Sequence, residues 1–270
     1  MAKSKRTSVQ KYHDRVAARY DDSYDDTFWQ WHDALTWDYL KPHLPRDMSA
    51  EVIDLGCGTG KWAAKIIKSG YRVTCVDISP KMLDQAQRKI DGTDGSSRAS
   101  FIRADLCDLS AIDSGKFELA IALGDPICCC DTPRKAMREI HRILSDAGLL
   151  VASFDNKLAA IDYYLERGDP QDLSRFLRDG KTHWLTRDVD EQFPISTFSP
   201  NEVAQLADRC GFEVLELIAK TVLPMRHYRQ LLETPESRRA WAKMEKKLSR
   251  DTNAVGRASH IQMTARARSR

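Results

Sequence analysis

Four aspartates in this chain each close a short apolar run: Asp54, Asp77, Asp105 and Asp125. The first sits in Val52-Ile-Asp-Leu-Gly-Cys-Gly-Thr-Gly-Lys61, where glycines recur at positions 56, 58 and 60. Without a Cβ, the backbone at such positions can turn sharply and approach a ligand closely. A helix opening at Lys61 would aim its free N–H groups back at that ligand. The combination suits a nucleotide-like cofactor held at the end of a strand. A dinucleotide fingerprint needs its third small residue at position 61, which is lysine here, so the spacing argues against a NAD-type site. An acid two residues before the first glycine also suits a cationic ligand better than a pyrophosphate.

These residues must be carried by alternating strands and helices. Apolar runs predict strands at Glu51–Leu55, Arg72–Asp77, 99–104, 117–123, 148–154, 212–218 and 259–265. Helical patterns begin at Lys61, cover 81–90 and 131–144, and precede the first strand at 8–22 and 27–43. Such alternation is the mark of a parallel sheet with right-handed crossovers. Ser79 and Pro80 fill the N-cap and first-turn positions of the helix after the second strand, leaving Asp77 free to bind.

The segment Asp54-Leu-Gly-Cys-Gly-Thr-Gly60 resembles motif I of the class I S-adenosylmethionine (SAM)-dependent methyltransferases, and the later acids follow at that family's spacings. The resemblance implies an α/β fold: a doubly wound, seven-stranded Rossmann-like sheet, six strands parallel and the seventh antiparallel, with an N-terminal helical lid and acceptor-side insertions. It implies that Gly56, Cys57, Gly58 and Gly60 pack on the aminoacyl part of SAM while Asp54 orients the loop and the ammonium group. Asp77 would accept from both ribose hydroxyls and Ile78 would lie on the adenine. Asp105 would accept from the adenine N6, with the Leu106 N–H meeting N1. Met82 and Leu123 complete the expected cofactor contacts, with Tyr12 and Tyr20 from the lid, since Arg19-Tyr20-Asp21 resembles the family's tyrosine-bearing lid element. The product would be S-adenosylhomocysteine.

Acceptor chemistry is less sharply written. A hydroxyl or carbon acid would need a general base, usually His or a carboxylate. His183 and His227, beside Trp184 and Tyr228, and Asp125 at the fourth strand end are the candidates, against a structural role for His43, His141 and His260. His13 and His32 belong to the lid and are ambiguous. Tyr24, Trp29, Asn156, Tyr163, Trp184, Arg226 and Tyr228 are candidate acceptor contacts. Phe28, Trp31 and Trp37 read as aromatics that dock the lid. Gly124-Asp125-Pro126-Ile127 begins like the Asp-Pro-Pro-Tyr motif of enzymes that methylate nucleobase amines, but lacks its second proline and its aromatic. Cys128-Cys129-Cys130 is poorly arranged for one tetrahedral zinc, and no metal is expected; packing or a role near the acceptor fits better.

One domain over 1–270 is expected: a lid at 1–48, a SAM-binding core at 49–155, an insertion at 156–198, and the rest of the sheet at 199–270 with a helical insertion at 219–256. The chain has 270 residues and a net charge of +3, too small to imply a nucleic-acid partner. No apolar run reaches the ~18–20 residues of a membrane span, and Met1 to Arg6 lacks the apolar stretch of a secretory signal. A cytoplasmic monomer or homodimer acting on a small-molecule acceptor is therefore expected. An RNA or protein methyltransferase, or a non-catalytic SAM-binding regulator, is the alternative.

Overall fold

The computed structural model describes residues 7–183 and 192–269. Five strands, β1 (Glu51–Leu55), β2 (Arg72–Asp77), β3 (Ala99–Arg103), β4 (Phe117–Ala122) and β5 (Leu144–Asp155), run parallel, and β8 (Phe212–Lys220) and β9 (His260–Ala267) extend the same sheet. The order is β3-β2-β1-β4-β5-β9-β8. Only β9 is reversed, pairing antiparallel with both β5 and β8. All seven expected strands are present. A separate two-stranded ribbon is formed by β6 (Lys181–His183) and β7 (Pro194–Ser196).

Helices cover both faces, so the central strands β1, β2 and β4 are apolar on both sides. Ile53, Ala120, Ala152 and Phe154 point into one core, and Val52, Leu119, Ile121 and Val151 into the other. Emptying a fully buried ring such as Phe154 would cost about 3–5 kcal/mol. The helices are α1 (Ser8–Val16), α2 (Thr27–Leu40), α3 (Lys61–Lys68), α4 (Pro80–Asp91), α5 (Pro133–Ile143), α6 (Ile161–Arg167), α7 (Pro170–Asp179), α8 (Pro200–Arg209) and α9 (Pro235–Ser249). Among the described residues no helix is long and apolar enough to cross a membrane.

Three boundaries differ from expectation. The first lid helix stops at Val16 and tightens into short 3₁₀ turns at Ala17–Arg19 and Asp21–Tyr24, which carry Tyr20 and Tyr24. The strand expected at 148–154 begins at Leu144. Gly148 therefore lies within β5, where a Cβ would meet the carbonyls of Ser145 at 2.9 Å and Phe117 at 3.0 Å. Finally, β8 runs two residues beyond 218 and ends on Lys220.

The lid is fixed to the C-terminal part of the sheet. Phe28, Trp31, Leu35 and Tyr39 of α2 bury against Ile218, Met225 and Leu232, and the Tyr39 hydroxyl donates to Ser249 at 3.0 Å. Beneath this contact Glu245 of α9 accepts from the N–H groups of Val222 (2.7 Å) and Leu223 (2.9 Å), while burial pushes its carboxyl up. Residues 222–249 thus form the platform on which α2 docks.

Candidate active site

The turn after β1 is held from below. Gly56 and Cys57 donate their N–H groups to the Val76 carbonyl at 2.8 and 2.9 Å. Gly56, Gly58 and Gly60 all have positive φ, at 68°, 53° and 78°, a conformation that penalises any Cβ. Their roles separate in space. A Cβ on Gly56 would lie 2.5 Å from Pro126, and one on Gly60 would lie 2.9 Å from Ala86, so those two permit close packing of the loop. A Cβ on Gly58 would meet nothing within 4 Å, and Gly58 faces the cavity. It is the glycine of the three that leaves room for a ligand.

That cavity, about 200 Å³, is lined by Gly56, Cys57, Gly58, Asp77, Ile78, Asp105, Leu106 and Leu123, with Tyr20, Tyr24 and Trp29 from the lid. Asp77 accepts from the Gly58 N–H at 2.9 Å through one oxygen and from the Ser79 N–H at 2.8 Å through the other. It is less free than the capping argument implied, but each oxygen keeps acceptor capacity for a hydroxyl. Ser79 does cap α4, accepting from the Met82 N–H at 3.1 Å. Asp105 accepts from the Cys107 N–H at 2.8 Å. These groups match the polar edge of an adenosine, and the open face at Gly58 gives it space.

Four expected cofactor contacts lie off this cavity lining: Tyr12, which lines the neighbouring chamber instead, Asp54, Gly60 and Met82. Asp54, 1% exposed, sits under the loop and accepts from the Ala63 N–H at 3.1 Å. Burial pushes its carboxyl up to about 7, with Asp77 adding to the shift against the Ala63 bond. Gly60 packs on α4. Met82 is buried in a small core with Val16 and Ala17, under Tyr12 and Tyr20.

A second chamber of about 120 Å³ shares Tyr20, Tyr24, Trp29, His32, Gly124, Cys129 and Lys220 with the first, and adds Tyr12, Asp125, Asp155, Phe193 and His260. Its polar wall is compact. Asp125, held at φ 63°, comes within 2.9 Å of His260 Nδ1, and Asp155 stands 3.8 Å from the same nitrogen. The Ser153 hydroxyl accepts from the N–H groups of Gly124 and Asp125, fixing that turn.

The environments divide these groups. Burial opposes ionisation of Asp125, but the His260 charge and hydrogen bond, then Lys220, hold its carboxyl down at about 2. Asp155 goes the other way, to about 7, through burial and the neighbouring Asp125 charge. Burial works against a charged His260, yet Asp125 and Asp155 raise it overall. Burial, followed by the Lys220 charge, lowers His32 to about 4, so its imidazole is neutral near pH 7.

The structure brings Asp125, Tyr24 and Trp29 to this chamber but not the other expected acceptor residues. Asn156 donates to the carbonyls of Val255, Gly256 and Ala258, a buried structural knot. Tyr163 accepts from Arg167 on the outside of α6. His183, His227 and Tyr228 are exposed and off the lining, and Arg226, also off the lining, stands over the Trp29 ring at 5.8 Å from its centroid. Trp184 lies outside the described residues. Of the cysteine run, Cys128 is core, where its sulfur accepts from the Asp155 N–H; Cys129 lines both cavities.

Sequence reasoning missed His260, Asp155, Lys220 and Phe193 as chamber residues. The topology carried a signal for three of them. In a sheet whose β9 alone is reversed, the first residue of β9 lies at the edge where its parallel neighbours end. The register does pair His260 with Asp155 and with Lys220.

Comparison with known proteins agrees with this geometry. A family model described as "Methyltransferase domain" matches residues 52–148. The "Putative methyltransferase YqeM" of Bacillus subtilis is 23% identical over 69% of this chain and 87% of its own length. A demethylmenaquinone methyltransferase of Leptospira interrogans is 28% identical over 53% of this chain, which spans 58% of that relative. The crystal structure of an S-adenosylmethionine-dependent methyltransferase from Mesorhizobium loti superposes with a TM-score of 0.58 at 20% identity, covering 86% of this chain and 97% of that one. Residues 52–148 thus match a methyltransferase-domain model, and the sheet has the Rossmann-like fold of solved SAM-dependent methyltransferases.

Proposed function

We propose that the protein methylates a hydroxyl oxygen of a small, flat molecule held in the inner chamber. The observation that carries this reading is the shared wall. The cofactor cavity and the acid–base cluster Asp125–His260–Asp155 open onto the same aromatic chamber. Tyr12, Tyr20, Tyr24, Trp29 and Phe193 supply ring faces and edges suited to a planar acceptor. A relative from Xanthomonas oryzae named "Ubiquinone biosynthesis O-methyltransferase", 26% identical over 64% of this chain, supports an oxygen acceptor.

When bound, SAM supplies a methyl group on a sulfonium, displaced in line as neutral S-adenosylhomocysteine leaves. The chain's own task is alignment, exclusion of water and removal of one proton. The acceptor O–H proton passes to the Asp125–His260–Asp155 cluster, and an oxygen lone pair forms the new O–CH₃ bond. The C–S bonding pair stays with sulfur. Two partly buried carboxylates pushed in opposite directions are a mark of acid–base work, and the cluster titrates as a unit. Asp155, raised to about 7, gives that unit a proton acceptor matched to neutral pH. Lid residues hold the cover: Lys61 pairs with Asp33 at 2.7 Å, and Asp21 accepts from Thr59 at 2.6 Å and Lys89 at 2.7 Å.

The test is transfer of labelled methyl from SAM to a panel of phenols, aryl amines and thiols. Methylation confined to hydroxyl oxygens supports the reading. Preferred methylation of amines or thiols, which need no such base, contradicts it.

A further inference from the structure

The chamber holds one buried cation that no neighbour claims. Lys220 is 2% exposed and lines both cavities. Among the described residues its ammonium makes no hydrogen bond and no ion pair within 4 Å. Burying an ammonium this way is costly unless a partner arrives. The nearest carboxylates are already matched: Asp125 stands against His260 at 2.9 Å, and Asp33 against Lys61 at 2.7 Å. Burial lowers the lysine overall, against the Asp125 and Asp33 charges, which favour its ammonium form, and an anionic ligand would favour that form further. Lys220 is therefore a surplus positive charge at the end of β8, across the register from His260.

We infer that Lys220 is an anion-recognition site, and that the acceptor is held in the chamber as an oxyanion, a phenolate or enolate, rather than as a neutral alcohol. This deepens the methyl-transfer reading and rests on it. The Lys220 ammonium donates to the oxygen that loses its proton to the acid–base cluster, stabilising the charged nucleophile before the new bond forms. Aliphatic alcohols, too weakly acidic for one lysine to ionise, are excluded as acceptors. Planar hydroxyarenes and enolic ketones are admitted.

The experiment uses 4-nitrophenol, whose anion absorbs in the visible. The full chain is saturated with S-adenosylhomocysteine, and the bound probe is titrated with pH. The expected result is that bound probe stays ionised to lower pH than free probe, by about one unit or more, a tenfold preference for the anion. Lys220→Met abolishes that shift while keeping its affinity for S-adenosylhomocysteine, and Lys220→Arg retains it. Bound probe that titrates like free probe, or fails to bind, overturns the inference from the wild type alone. A shift that survives in Lys220→Met assigns the effect to His260 and also overturns it. If Lys220→Met instead weakens S-adenosylhomocysteine binding and spares the probe, the lysine serves the cofactor carboxylate and the inference falls. Absence of S-adenosylhomocysteine binding to wild type would overturn the methyl-transfer reading itself, and this inference with it.

Discussion

The two ends of the carboxyl edge of the sheet are built on different principles. In the proposed reading the cofactor half, from β1 to β4, binds through turns that are local in sequence. Gly56, Gly58, Asp77 and Asp105 each lie at the end of a strand or just after it, and backbone N–H groups set their positions. The acceptor half, at β5, β9 and β8, is assembled from single side chains far apart in the chain. Asp125, Asp155, Lys220 and His260 meet only because β9 is reversed between its neighbours. Turn-built sites tolerate little change of backbone, whereas side-chain sites can exchange residues without disturbing the sheet. One scaffold can thereby keep a cofactor and vary its acceptor.

If that division holds, the largest effect belongs to the acceptor half and should appear only in turnover. His260→Ala should lower kcat by about 10²–10⁴ while leaving cofactor affinity unchanged, measured by labelled-methyl transfer beside calorimetry. A variant that loses both would erase the division. His183→Ala and His227→Ala, which alter exposed residues off the lining, should leave turnover near normal in the same assay.

A second prediction sharpens the acid–base assignment. Turnover should fall as pH drops through about 7, because Asp155 is raised to about 7 and must lose its proton to accept another. Asp155→Asn should remove that limb along with most activity. A limb that persists in Asp155→Asn would move the titration to another group.

The cofactor half predicts a stability effect of opposite character. Asp54 is raised to about 7 in the fold, against about 3.9 in an unfolded chain. The native state therefore binds the proton more tightly, and the stability this gives is present at acid pH and lost as pH rises through about 7. Asp54→Asn should melt higher than wild type at pH 8 in the absence of SAM, with the advantage shrinking toward pH 4. Equal pH dependence of the two melting curves would contradict the buried, poorly solvated carboxyl.

The smallest effect concerns the ties between the halves. Asp21→Ala removes the acceptor for Thr59 and Lys89. As a partly exposed contact worth about 0.2–1 kcal/mol, it should raise the KM for SAM no more than roughly fivefold with kcat little changed. A collapse of kcat would mean that lid closure controls the chemistry.

The same division explains what the sequence could disclose. Gly56-Cys-Gly-Thr-Gly60, Asp77 and Asp105 were legible because a glycine turn and an acid at a strand end are local signals. The central strands were legible because they are apolar on both faces, and the edge strands β3 and β8 from shorter apolar runs. The acceptor side was not, because His260, Asp155 and Lys220 carry no local mark; their meeting is a property of register across three strands. The insertions looked like the source of acceptor contacts, yet among the described residues 156–195 lends Phe193 alone, while Asn156 is spent on backbone carbonyls. Long polar and aromatic side chains in insertions advertise binding and structural anchoring equally well. Lys220 lay at the strand end that the periodicity cut two residues short.

The most direct test of the central claim is calorimetric titration of S-adenosylhomocysteine into wild type, Asp77→Ala and His260→Ala. The account predicts binding to wild type and His260→Ala alike, and a loss of about tenfold to a hundredfold in Asp77→Ala, as expected for hydrogen bonds to a charged acceptor. Undiminished binding in Asp77→Ala, or a matching loss in His260→Ala, would contradict a cofactor half and an acceptor half that work through separate groups.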